Sequence, residues 1–213
     1  MFSKPALATA IALLFVSSYS LAQTPSQPAR PNSPGTSSTE DAVKRIDEQR
    51  KLFEKQQQAT SKLLDQATGV LKNEHRTFEQ AEKAVDELIA HVDETIRKTD
   101  EGGELNKAVD TMIADAISGR NVAEGYKDEE LKTYFTKLEA QFREAKQSLA
   151  KGRVEALKVL QQLKARKGII ALAAKAQALG RAYGALNEAI KQFNMMVEQG
   201  NKFLNELPKP PGS

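Results

Sequence analysis

Residues 40–101 read EDAVKRIDEQRKLFEKQQQATSKLLDQATGVLKNEHRTFEQAEKAVDELIAHVDETIRKTDE, and this stretch decides the fold class. From Val43, steps of three and four reach Ile46, Arg50, Phe53, Gln57, Thr60, Leu64, Ala67, Leu71, Glu74, Phe78, Ala81, Val85, Leu88, Val92 and Thr95. Eleven of these sixteen positions are apolar and the register does not slip, so the spacing predicts a helix packed along one seam. Ser37 or Ser38 offers an N-cap, with Glu40 or Asp41 three residues on, and Gly102-Gly103 ends the run. A helix of that length would measure roughly 90 Å. Gly69 and Asn73 are its candidate kinks. The polar seam positions Arg50, Gln57 and Thr60 suggest that its N-terminal third projects from the rest or meets a partner.

Two further seams follow. One runs Leu131, Phe135, Leu138, Phe142, Ala145, Leu149, Gly152, Ala156, Val159 and Leu163, behind the acidic Asp128-Glu129-Glu130. Lys164, Arg166 and Lys167 then favour a C-terminus, with Gly168 as its left-handed cap. The other runs Ile169, Leu172, Ala176, Leu179, Tyr183, Leu186, Ile190, Phe193, Val197, Gly200, Leu204 and Leu207. The phase jumps by one residue between them, because the earlier register continued would bury Gln177, Asn187 and Lys191. The jump predicts a break, placed at Gly168. A second apolar line at Ala182, Ala189, Met196 and Phe203 widens the last stripe, so this helix should be the most buried. A short amphipathic helix on Leu105, Ala108, Val109, Met112, Ile113, Ala116 and Ile117 closes at Gly119, and 119–127 reads as a loop.

The expected fold is therefore all-α: an elongated helical bundle or coiled coil of three long helices and one short one. Their spans are about 40–101, 104–118, 128–167 and 169–207. Every proline lies at positions 5–34 or 208–211, which leaves no turn-rich architecture for the middle of the chain. Gly180 and Gly184, four apart, suggest a close helix crossing.

The ends carry an address and a tether. Lys4, the apolar run Ala6–Val16 and the small residues Ser20 and Ala22 form the three parts of a secretory signal peptide over 1–22. Cleavage is expected before Gln23, and the alternative is a retained anchor. Residues 23–39, with Pro25, Pro28, Pro31 and Pro34 every third place, read as a disordered, semi-stiff linker. Residues 208–213 read as a flexible tail. With no cysteine in the chain, disulfides, thiolate metal sites and a lipoprotein anchor are excluded. The address implies a bacterial periplasmic or secreted protein.

Charge divides the chain. Residues 40–130 hold 22 acids and 14 bases, net −8, whereas 131–207 hold 6 acids and 14 bases, net +8. Equal and opposite totals predict that the basic 131–167 helix pairs antiparallel with the acidic first helix. An anionic membrane surface is the alternative partner for the bases. Nucleic acid is not expected, given few aromatics and a neutral 40–207.

Chemistry is scarce. His75 and His91, the only histidines, are sixteen residues apart and about 24 Å along a straight helix, too far to share a metal. Glu87, His91 and Glu94 share a helical face, but the Glu-x-x-His pairs of a di-iron bundle are missing, so a surface histidine is expected. No phosphate loop, nucleophile elbow or zinc spacing occurs. No catalytic, cofactor-binding or metal residue is expected, and the chain reads as non-enzymatic. The leading expectation is an exported scaffold or protein-interaction module of the bacterial envelope, acting through helical surfaces and open to homo-oligomerisation. The alternatives are a periplasmic chaperone or lipid-binding carrier, or a secretion-system component. For the last, the order of signal peptide, long helix, small helical middle and long helices is similar in outline to minor subunits of type IV secretion pili.

Overall fold

A computed structural model describes residues 34–208, with side chains from Ser38 onward. The signal peptide, most of the linker and the tail from Lys209 lie outside the described residues. The described chain is helical with no strand among its residues. Five helices follow one another: α1 (Pro34–Lys72), α2 (Phe78–Thr99), α3 (Glu104–Gly125), α4 (Glu129–Lys175) and α5 (Leu179–Glu206).

The expected helix over 40–101 is two helices, and the cause lies in the side chains of the joint. Thr77 accepts from the Gln80 amide at 3.2 Å while Gln80 Oε1 accepts from the Thr77 amide at 3.2 Å, a reciprocal cap that starts α2. Arg76 donates to the carbonyl of Leu71 at 3.0 Å, serving an end of α1 that has no further amide to bond. Gly69 is exposed inside α1, and the chain turns at Asn73–Thr77 instead. At the other end, α1 begins at Pro34, so 34–39 belongs to the helix rather than to the linker, and Thr39 is buried. Proline suits a first turn, where its missing amide is no loss.

Gly102-Gly103 does separate α2 from α3. Gly102 has φ +79°, and a Cβ on Gly103 would strike the carbonyls of Arg97 and Lys98. The short helix, however, runs on to Gly125. Gly119 does not stop it, because it is buried under the ring of Phe135, where a Cβ would not fit.

Nor does Gly168 stop α4, which spans 47 residues, roughly 70 Å. The seam of its first part continues past Gly168 to buried Ile170 and Ala173, and leaves Leu172 60% exposed. The one-residue phase jump is real and sits at Ala176–Ala178. From Tyr183 on, the expected third seam is inside at Leu186, Ile190, Phe193 and Val197, joined by Ala182, Ala189 and Met196. Both connections flanking α4 have one form. Lys127 (φ 57°) and Gln177 (φ 52°) are left-handed, and their amides bond Glu124 O at 3.0 Å and Ala174 O at 3.1 Å. The next amides reach back five residues, Asp128 to Ala123 O and Ala178 to Ala173 O, at 2.9–3.0 Å. Gly180 and Gly184 are exposed with open space at their Cβ positions, so they mark no close crossing.

Pairs between side chains fix the directions. Gln56–Thr95 and Thr60–His91 set α1 antiparallel to α2. Lys167–Asp86 (2.6 Å) and Arg153–Asp100 (2.9 Å) set α4 antiparallel to α2. Lys146–Asp110, Arg120–Glu139 and Lys132–Glu124 do the same for α3. Thus α2 and α3 follow each other along α4, and α1 neighbours α2, α3 and α5 but not α4. The expected antiparallel pairing of basic 131–167 with the helix over 40–101 is met by its α2 part and extends to α3, and it is corrected for α1, which does not contact α4. Ion pairs near the surface are weak, so they select neighbours while apolar burial holds them.

The core is two apolar clusters. One joins the end of α1, α2, the second half of α4 and α5, around Leu88, Val92, Leu163, Leu186 and Phe193. The other joins the start of α1, α3, the first half of α4 and Leu207, around Ile46, Val109, Met112, Phe135 and Phe142. The N-terminal third of α1 does not project: Ile46 and Phe53 are buried, as are the polar seam residues Arg50 and Thr60.

Candidate functional site: a cleft at the polar layer between the two clusters

Where the clusters meet, every seam carries a polar or small residue. Helix α1 brings Gln56, Gln57 and Thr60, α2 brings His91, Thr95 and Thr99, α4 brings Gly152, and α5 brings Gly200. Buried polar groups must find partners, and here they do so across helices. Gln56 Nε2 donates to Thr95 Oγ1 at 2.9 Å, and Lys98 Nζ donates to Gln56 Oε1 at 3.0 Å. Gln57 Nε2 donates to the Val197 carbonyl at 2.8 Å and to Asn201 Oδ1 at 3.0 Å. Gly200 makes room for this reach, since a Cβ there would collide with the Gln57 carboxamide.

Thr60, 4% exposed, donates its one hydroxyl hydrogen to the Gln56 carbonyl at 2.9 Å. Its oxygen is then an acceptor for His91 Nε2, also at 2.9 Å, which places the imidazole proton on Nε2. The ring meets Phe193 edge-on, with centroids 5.8 Å apart. Burial pushes the His91 pKa below its ordinary value; the nearby Glu94 carboxylate opposes this shift and Lys98 adds to it. The expected surface histidine is therefore a half-buried one that faces α1. Glu87 pairs with Lys83 at 3.9 Å and Glu94 with Lys98 at 2.9 Å, so the three residues on this face do not converge. Lys98 holds the Glu94 carboxyl below the usual carboxylate range. His75 is exposed at the α1–α2 joint, its amide bonded to Asn73 Oδ1. Among the described residues no group of three or more His, Cys, Asp or Glu is placed to hold a metal.

Beside this layer the clusters leave a cleft of about 320 Å³. Its apolar lining comes from Phe53, Leu105, Leu149, Ala156, Met196, Phe203 and Leu204, with Thr60, Thr95 and Thr99 as polar points. The exposed lining residues Lys151 on α4 and Gln199, Lys202 and Glu206 on α5 mark its rim. Gly152 is half-buried in the wall, and a Cβ there meets nothing within 4 Å. The cleft exists because α5 ends at Glu206, while α1, α3 and α4 continue the core past it. Phe203 stacks at a tilt on Phe53, 5.2 Å between centroids, and Leu204 packs on the same cluster near the end of α5.

Sequence reasoning placed no site residues and missed the cleft. Its signal was present as Gln57, Thr60, Gly152 and Gly200, all interruptions of otherwise apolar seams. Their coincidence at one level needs the helix directions and the true turn at Ala176–Ala178. Volume, lining and rim suit a ligand with an apolar body and a few polar contacts. No protein-family model, no curated protein and no solved structure matches the chain.

Proposed function

We propose that this chain is an exported, non-enzymatic helical interaction protein of the bacterial envelope, and that its cleft receives an apolar group of a protein partner. The observation that carries this reading is the apolar cleft of about 320 Å³, ringed by exposed polar side chains between α4 and α5. A side chain such as Phe or Leu seated there would cover Met196, Phe203 and Leu204, while Lys151, Gln199 and Lys202 supply a polar rim, the usual anatomy of an interaction hot spot. In this reading the helices form an elongated up-and-down bundle with coiled-coil-like seams. The signal peptide over 1–22 delivers it to the periplasm or beyond, and the Pro-rich 23–33 serves as a linker ahead of α1. Membership of a secretion assembly is one form such a role would take. The same cleft supports a second reading, a lipid carrier, because Met196 and Phe203 would equally cover an acyl chain.

A photoreactive side chain at Gln199, with one at Glu82 as a distant control, tests both in intact cells. Protein adducts at Gln199 that disappear when Gly152→Leu fills the cleft support the interaction reading. Acyl-lipid adducts with the same sensitivity support the carrier. Equal labelling from Gln199 and Glu82 defeats both. The Gly152→Leu variant is expected to melt at or above the parent temperature, since the added side chain has open space and glycine is a poor helix former.

A further inference from the structure

The ion pairs that α4 makes with α2 and α3 use one set of its bases: Lys132, Lys146, Arg153 and Lys167. A second set points elsewhere. Lys151, Lys164 and Lys175 are exposed, and no acid lies within ion-pair distance of them among the described residues. On the same outer face, steps of three and four connect Val154, Leu157, Gln161, Lys164, Gly168, Leu172 and Lys175. Single exposed apolar residues are ordinary. Here three of the five large exposed ones, Val154 (52%), Leu157 (40%) and Leu172 (60%), share one helix face with the free lysines. Residues 145–187 contain one acid, Glu155, and it is held by Lys158 at 2.7 Å.

We infer that this outer face of α4, from Lys151 to Lys175, docks on an anionic lipid bilayer. Charge decides the occupant. A second copy laid face to face would oppose lysine to lysine. The acidic outer face of α2, with Glu79, Glu82 and Glu87, offers Ala90 as its only exposed apolar residue and so no mate for Leu172. A bilayer of anionic lipids supplies both needs, phosphate oxygens for the ammonium groups and acyl chains beneath them for Val154, Leu157 and Leu172. The face extends about 36 Å along the helix at ~1.5 Å per residue, so the three lysines reach separate headgroups. This surface is distinct from the cleft, apart from Lys151 at the rim, and does not depend on the function proposed above.

Flotation of the mature chain with vesicles tests it, using phosphatidylglycerol mixed into phosphatidylcholine against phosphatidylcholine alone, at low salt. Binding is expected only with phosphatidylglycerol, and about tenfold or more weaker at 1 M salt, where screening shortens to ~3 Å. Leu172→Asp and the pair Lys164→Glu with Lys175→Glu should each abolish flotation with an unchanged thermal melt, because all three side chains are exposed. The inference is overturned by no flotation at low salt, or by flotation that survives these variants. It is overturned equally if polyglutamate binds as well as vesicles regardless of Leu172→Asp, since charge alone would then suffice. Concentration-dependent self-association removed by Leu172→Asp would assign the face to a second copy and overturn it too.

Discussion

Lys127 and Gln177 hold left-handed backbones that an L side chain adopts at a cost, and each closes a helix at the position where glycine is commonest. Lys127→Gly is expected to raise stability by about 0.5–1 kcal/mol, the relieved strain exceeding the entropy that glycine adds to the unfolded chain. Gln177→Gly should gain less, because the Gln177 side chain donates to the Ala174 carbonyl at 3.2 Å and that bond is lost. Thermal melts of the two variants check the ordering; a destabilised Lys127→Gly would show that its side chain matters more than its backbone. His91 gives a pH dependence. Its folded pKa lies below the ordinary 6.5, so the unfolded chain binds the proton more readily. Its neutral ring therefore contributes stability that is fully present above about pH 6.5 and lost as pH falls through the folded value. His91→Gln, which can still donate to Thr60, should flatten the difference in stability between pH 7.5 and pH 5. Chemical denaturation at both pH values reads this, and an unchanged slope would contradict the buried ring.

At the scale of the helix, glycine proved a poor guide to where α4 ends. Gly168 lies within it, exposed and with nothing within 4 Å of a Cβ, so Gly168→Ala should stabilise by about 1 kcal/mol through helix propensity alone. A chain that turned at Gly168 would lose stability from the same change, which makes the melt of this variant a direct measure of helix continuity. Leu186 is fully buried in the larger cluster, and Leu186→Ala should cost about 2–5 kcal/mol. The joint at Asn73–Thr77 shows a different lesson. Its hydrophobic register passes unbroken from Leu71 to Phe78, yet Thr77 and Gln80 cap a new helix and Arg76 serves the old one. Hydrophobic spacing reports which side of a segment faces inward, and caps report where the segment stops.

For the whole described molecule, the neutral sum of charge is made by opposed helices, with acids on α2 and α3 facing bases on α4. Stability is therefore expected to fall only modestly between 0.1 M and 1 M salt, because exposed pairs are screened and weak. Collapse of the fold in 1 M salt would mean that ion pairs, rather than the two apolar clusters, hold the helices. By itself the sequence determined the helical class, the separation at Gly102-Gly103, the inward residues of α2 and of α5 after Tyr183, and the existence of one phase jump. These follow from local propensity and from a period that any packed helix must obey. Tertiary structure decided the rest. A phase jump can be absorbed at any of several nearby residues, and the turn settled at Gln177 because Ile170 and Ala173 bury themselves by extending α4. Gly119 became a helix interior because Phe135, sixteen residues on, needed its missing side chain. The cleft arises because α5 is shorter than the columns beside it, a difference in length between neighbours that no single helix encodes.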